Sequence, residues 1–222
     1  MKLSAVLLAR VIYFVESVDL NPVGAAYYPE IVAALVNRYG FIGFPKSAED
    51  FDEQKGVTFL SGRLRDATIV RVVIHNWGIT LDSTSSTRDS DNLLHEALTW
   101  ATENLRLTYS PGMVRRKGFV SQVTFYSDAP FLSLNPVLTT VGERLSKEVA
   151  ANLNLPYIFG PRGMSMGVDP ETLRIPIQAF TIERREGVAY SEGKYFSAAP
   201  VSTESHIEIL SQLERAARAS KF

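Results

Sequence analysis

The chain contains no cysteine. That removes disulfides as a source of stability and thiolates as metal ligands or nucleophiles, and it fits a reducing, cytoplasmic setting. A basic excess is missing too. Twenty-three Lys and Arg stand against 24 Asp and Glu, for a net charge of −1, so the footprint of a duplex-binding domain is absent. No run approaches the ~18 uncharged apolar residues of a membrane span, and no membrane partner is expected. Residues 1–9 have the flavour of a signal peptide. Arg10 interrupts them and no small-x-small cleavage site follows, so they are assigned to a first strand. There is no Gly-x-Ser-x-Gly elbow and no phosphate loop ending in Lys-Ser/Thr. Histidine is scarce, and His75, His95 and His206 lie at no metal-site spacing.

What is present is ordinary globular material, 45% hydrophobic and 21% charged over 222 residues. The most informative feature is an internal echo. Leu20-Asn21-Pro22-Val23 returns as Leu134-Asn135-Pro136-Val137, 134 − 20 = 114 positions later. Residues 5–16 are rich in β-branched and aromatic side chains on both alternations and predict a buried strand. Asn21-Pro22 offers an N-cap and a proline at the first helical position, with a second possible start at Pro29. The helix that follows carries Ile31, Ala34, Leu35 and Tyr39 on one stripe and stops at Gly40. Phe41–Pro45 reads as a short strand, and Asp50, Asp52 and Glu53 as a solvated loop. Strands are expected at 57–63 and 68–82, joined by a tight turn at Arg65-Asp66. A helix over 89–106 buries Leu94, Ala97, Leu98 and Ala101, and Ser110-Pro111-Gly112 closes the first half.

The second half repeats this order. A strand at 119–126 precedes a helix from Asn135-Pro136 with the stripe Val137, Val141, Leu145 and Val149. A hairpin turning at Asp169-Pro170-Glu171 is predicted to lead into a strand over 173–183, with a further short strand at 194–198. Ser202-Thr203 echoes Ser86-Thr87 at an offset of 116 and caps a last helix bearing Ile207, Leu210, Leu213 and Ala217. The expectation is therefore an α+β protein of two tandem homologous halves, 1–112 and 113–222, packed as one unit. Each half reads strand, helix, strands, helix, with curved antiparallel sheet and helices on one face. This order of elements resembles the repeat of the TATA-binding-protein-like fold, which implies a saddle-shaped sheet backed by helices. A ferredoxin-like reading of the first half, with two strands between its helices, competes with it.

Few residues suggest chemistry. His75 sits beside Trp77 in the expected long strand, sharing a face with Arg71. Asp91 and His95 are four apart on one helical face, a spacing that gives a surface pair or a dyad. His206, in the first turn of the last helix, is expected to be exposed. The glycine-rich stretch 160–167 reads as a structural turn, in which Arg162 could meet an anion. The reading is a non-catalytic interaction or assembly protein, without cofactor or metal. It would bind protein partners or itself through a sheet face or edge, with Arg71, His75, Trp77 and Arg162 as the candidate surface. An enzyme using His75 or Asp91/His95 is one alternative. A nucleic-acid binder with a saddle-like sheet is the other.

Overall fold

In the computed structural model the β-branched N-terminal run forms the longest strand, β1 (Lys2–Phe14). The structure describes residues 1–24, 26–64, 66–133 and 135–219. After β1 come the single turn α1 (Ser17–Leu20) and helix α2 (Tyr28–Tyr39), then β2 (Val57–Leu64), β3 (Ala67–His75), β4 (Gly78–Ser83) and α3 (Thr87–Asn104). The rest of the chain gives β5 (Arg116–Tyr126), α4 (Pro136–Leu153), β6 (Gly163–Met166), β7 (Phe180–Arg184), β8 (Lys194–Ala199) and α5 (Thr203–Ala219). The strands form one antiparallel sheet in the order β2-β3-β4-β1-β5-β8-β7-β6, an α+β architecture.

Residue contacts fall into two compact units. The N-terminal unit comprises Val6–Gln122 with Pro200–Thr203, and the C-terminal unit comprises Met1–Ala5, Val123–Ala199 and the chain from Glu204 onward. The core of the N-terminal unit is built from Val11 and Tyr13 of β1, Val57 and Phe59 of β2, Ile69 of β3, Ile79 and Leu81 of β4, Val32 and Tyr39 of α2, and Leu93, Leu94 and Leu98 of α3. Phe41 joins it, its ring tilted against those of both Tyr39 and Phe59. In the C-terminal unit Phe125, Phe131, Ile182, Tyr195 and Leu210 are buried, with Phe125, Phe131 and Tyr195 packed ring on ring.

Several expectations change. The long strand expected over 68–82 is two strands, because the chain reverses at Asn76-Trp77 and β3 pairs with β4 as a hairpin. Three strands therefore separate α2 from α3, not the two that the ferredoxin-like reading needs. A bulge between Ile69 and Arg71 also breaks the simple alternation. Ile69 then falls on the same core as Val72 and Ile74, which strict alternation had set on the opposite face. Asn21-Pro22 does not start a helix: Asn21 ends α1, and α2 begins at Tyr28 with Pro29 in its first turn. Asn135 does cap α4, its side chain accepting from the Val137 N–H at 3.1 Å. The two Asn-Pro pairs thus play different roles, and the four-residue echo is not evidence of equivalence. Leu134 of the second copy, and Arg65 of the expected Arg65-Asp66 turn, lie outside the described residues.

Further on, the glycine-rich stretch contains strand β6 where a turn was expected. The strand expected over 173–183 shortens to β7, because Leu173, Ile175 and Ile177 are exposed and form no ladder. Phe41–Pro45 contributes only a bridge from Gly43 to Leu60. Among the described residues no helix is long and apolar enough to cross a membrane.

Candidate functional site

Arg71, His75 and Trp77 all belong to the N-terminal unit. Arg71 is tied down: with Arg10 it clamps Asp82, a residue 2% exposed. Arg10 Nε and Nη2 lie 2.7 and 2.9 Å from the two carboxylate oxygens, and Arg71 Nε and Nη2 lie 3.1 and 3.0 Å from Oδ2. The bidentate contact with Asp82 raises the Arg10 pKa. The cluster is a structural clamp, which leaves Arg71 little freedom to serve as a ligand.

His75 and Trp77 do come together. Their rings stack at 4.8 Å with 11° between planes, and Trp77 continues onto Phe14 at 5.7 Å. The Arg116 guanidinium sits 5.8 Å over Phe14, closing a short aromatic ladder. His75 Nδ1 is buried with no hydrogen-bond partner among the described residues. Trp77 lies in the turn and is 42% exposed. Arg162 belongs to the C-terminal unit, where it is exposed and 3.5 Å from exposed Glu186, a contact of little energetic weight.

Asp91 and His95 are each committed elsewhere. Asp91 accepts from Lys117 Nζ at 2.7 and 2.9 Å and from the Tyr13 hydroxyl at 2.6 Å, while His95 Nδ1 shares a hydrogen bond with the Tyr109 hydroxyl at 3.0 Å. Burial, then the Asp91 carboxylate, push the Tyr13 phenol well above its ordinary pKa. This network pins α3 to β1 and β5. His206 is not exposed: it is wholly buried, shares a 2.8 Å hydrogen bond with Ser197 Oγ and packs edge-on against Phe180. Burial drives its pKa down to about 4, so it is neutral near pH 7. The buried row of α5 runs Thr203, His206, Leu210, Glu214, Ala217: Leu210 and Ala217 are the expected residues, while His206 and Glu214 each stand one residue from the expected Ile207 and Leu213. Among the described residues no three His, Asp or Glu side chains gather as a metal site.

The feature that sequence reasoning missed is α4. Its stripe runs at the expected spacing of four, yet of its 18 residues only Gly142 is buried. Val137 is 66% exposed and Leu145 44%, with Leu138, Val141 and Leu153 also in solvent. The segment beyond it adds exposed Leu155, Tyr157, Ile158 and Phe159, and Phe159 is fixed to the helix by its N–H donating to Ser146 Oγ at 2.8 Å. A large exposed apolar patch ordinarily marks an interaction site. The signal was present in the sequence as five apolar residues at a strict spacing of four, but nothing there says whether the chain or a partner covers them.

No protein-family model matches the chain, and neither does any curated protein.

Proposed function

We propose that this is an assembly protein that pairs with a second copy of itself through α4. The observation that carries the reading is an 18-residue amphipathic helix that buries almost none of its apolar stripe. Helices draw most of their stability from tertiary packing of that stripe. The partner is a second copy because the stripe is self-complementary about Leu145. A two-fold axis there pairs Val141 with Val149 and Val137 with Leu153, since 141 + 149 = 137 + 153 = 2 × 145. The same axis sets Glu143 opposite Lys147 twice, and the helix charges Glu143, Arg144, Lys147 and Glu148 sum to zero. Rows spaced by four interlock at a crossing of about 50°. Sedimentation at on the order of 50 μM should show a dimer, and Leu145→Asp should yield a folded monomer. A wild-type monomer at that concentration would remove the proposal.

We also infer that the halves are homologous, in the manner of the TATA-binding-protein-like repeat. What supports this is no longer the Leu-Asn-Pro-Val echo. It is the constant offset of 116 between buried positions of α3 and α5: Thr87 and Thr203, Ser90 and His206, Leu94 and Leu210, Leu98 and Glu214, Ala101 and Ala217. Thr87 and Thr203 also exchange reciprocal bonds, each backbone N–H donating to the other's Oγ1, at 3.1 and 2.8 Å. Glycine fills matching positions too. A Cβ at Gly78 would meet the Tyr13 carbonyl oxygen at 2.4 Å, and one at Gly193 would meet that of Ser127 at 2.3 Å. An experimental structure in which 78–104 failed to superpose on 194–219 would sink this inference.

A further inference from the structure

The N-terminal unit contains a cavity of about 350 Å³ that none of its own side chains fills. Its floor is Val72, Ile74 and Ile79 of the sheet, and its walls include Ile31 and Leu35 of α2 and Leu94 and Leu98 of α3. It is about twice the ~150 Å³ of an apolar cavity that holds benzene and within the range of ligand sites. One edge is polar. There the Glu53 carboxylate accepts from the Ser17 hydroxyl at 2.5 Å and from the Tyr28 hydroxyl. Both oxygens are therefore oriented, one by each donor. A carboxylate has about four acceptor sites, so capacity remains. No cationic group pairs with Glu53 among the described residues, although its neighbour Asp52 has Lys55 at 3.5 Å.

We propose that this cavity binds an amphiphilic primary amine, with a hydrocarbon body in the apolar pocket and its ammonium on Glu53. An oriented carboxylate at the rim of an apolar site favours a cation with N–H donors, because a charge-assisted bond offsets the cost of desolvating the acid. It disfavours a carboxylate ligand by like-charge repulsion. Little in the chain's pattern hints at this, since Glu53 stands in an acidic run, Asp50-Phe51-Asp52-Glu53, that reads as solvated loop. Asp50 and Asp52 do cap local backbone N–H groups, and those contacts lower both their pKa values. Of the three carboxylates, Glu53 is the one that faces the cavity.

The test uses the full chain and three probes of equal length: octylamine, octanol and octanoate, each below its micelle threshold, followed by calorimetry and thermal unfolding. Octylamine should bind and raise Tm, roughly tenfold tighter than octanol, with octanoate weakest. Glu53→Gln should erase the preference for the amine while leaving octanol binding unchanged. Ala97→Phe, which fills the pocket from α3, should abolish binding of both. Octanoate binding as tightly as octylamine, no binding by any probe, or octylamine binding unaffected by Ala97→Phe would each overturn the proposal. The comparison among probes on the wild-type chain stands even if a variant fails to fold.

Discussion

Helices α2 and α4 come after the two longest strands, β1 and β5, and each carries a clear apolar stripe, yet they meet different fates. In α2, Val32 and Tyr39 are buried, and Leu35 and Val36 pack against the core beneath. In α4 the stripe faces solvent, and small Gly142 is the one buried residue. Periodicity fixes which face of a helix is apolar, and both helices obey it. Whether that face is satisfied within the chain depends on what the remaining elements bring to it. Around α2 the chain brings Phe41, Phe59 and α3. The segment after α4 contributes exposed residues of its own, so the apolar surface grows instead of closing.

The largest expected effect tests this contrast directly. Phe59→Ala empties a fully buried site in the N-terminal unit and should cost about 3–5 kcal/mol of stability. Leu145→Ala in α4, measured at concentrations that keep the chain monomeric, should cost less than about 0.5 kcal/mol. It should weaken dimerisation instead. Denaturant titrations of both variants at low protein concentration decide the matter, and equal costs would mean that α4 is covered within the monomer.

Much of the architecture was legible. Helix α3 was anticipated to within two residues, with Ser86 as cap accepting from the Asp89 N–H at 3.0 Å. The strand-rich character of 57–83 was also clear. What stayed hidden were reversals and partners. Nothing in Val73-Ile74-His75-Asn76-Trp77-Gly78-Ile79 announces a hairpin, since Asn76-Trp77 is no common turn pair. A single bulge at Ile69/Arg71 then reassigned every side chain before it. His206 looked exposed because it falls in the first turn of the last helix, off the expected stripe, but its place in the row Thr203-His206-Leu210 turns it inward. Of the candidate surface, His75 and Trp77 came together, while Arg71 proved to be held by Asp82.

His206 sets the next prediction, and it concerns the C-terminal unit. In the unfolded chain the imidazole takes up a proton near pH 6.5, whereas in the fold it resists until about 4. Stability is therefore full above pH 6.5, falls as pH drops through that interval, and levels off below it. The gap corresponds to roughly 3 kcal/mol. Carboxylate contributions such as Asp128, held low by Arg218, are lost only below about 3.8, so the two windows separate. Urea midpoints between pH 7 and 4.5 should fall for the wild type and stay nearly flat for His206→Asn, referenced to its own value at pH 7. A flat wild-type profile would show that His206 is solvated.

The reciprocal threonines should give a smaller effect. Each occupies the first position of its helix, where backbone N–H groups lack intrahelical acceptors, and each supplies the other's missing acceptor. Thr87→Val and Thr203→Val should each cost about 1–2 kcal/mol by orphaning a buried N–H. The double variant should cost less or more than the sum by at least about 0.5 kcal/mol, because the residues are in contact. Strict additivity in a double-mutant cycle would count against a shared site.

Trp77 is where the smallest change is expected, and it sharpens the distinction between a filled core and an exposed stack. As a core residue it would cost 3–5 kcal/mol on truncation to alanine. Its place in the β3–β4 turn, 42% exposed and stacked between His75 and Phe14, argues otherwise. What is lost is aromatic contact on two sides and part of an apolar area, about 1 kcal/mol. Gly78 next to it, not the indole, sets the turn, because a side chain there would strike the Tyr13 carbonyl. The hairpin should therefore survive Trp77→Ala, and the His75 imidazole, now open to water on one side, should exchange its ring proton faster by NMR. A loss above 3 kcal/mol would mean that the ladder is part of the core and that its exposed edge is covered in solution.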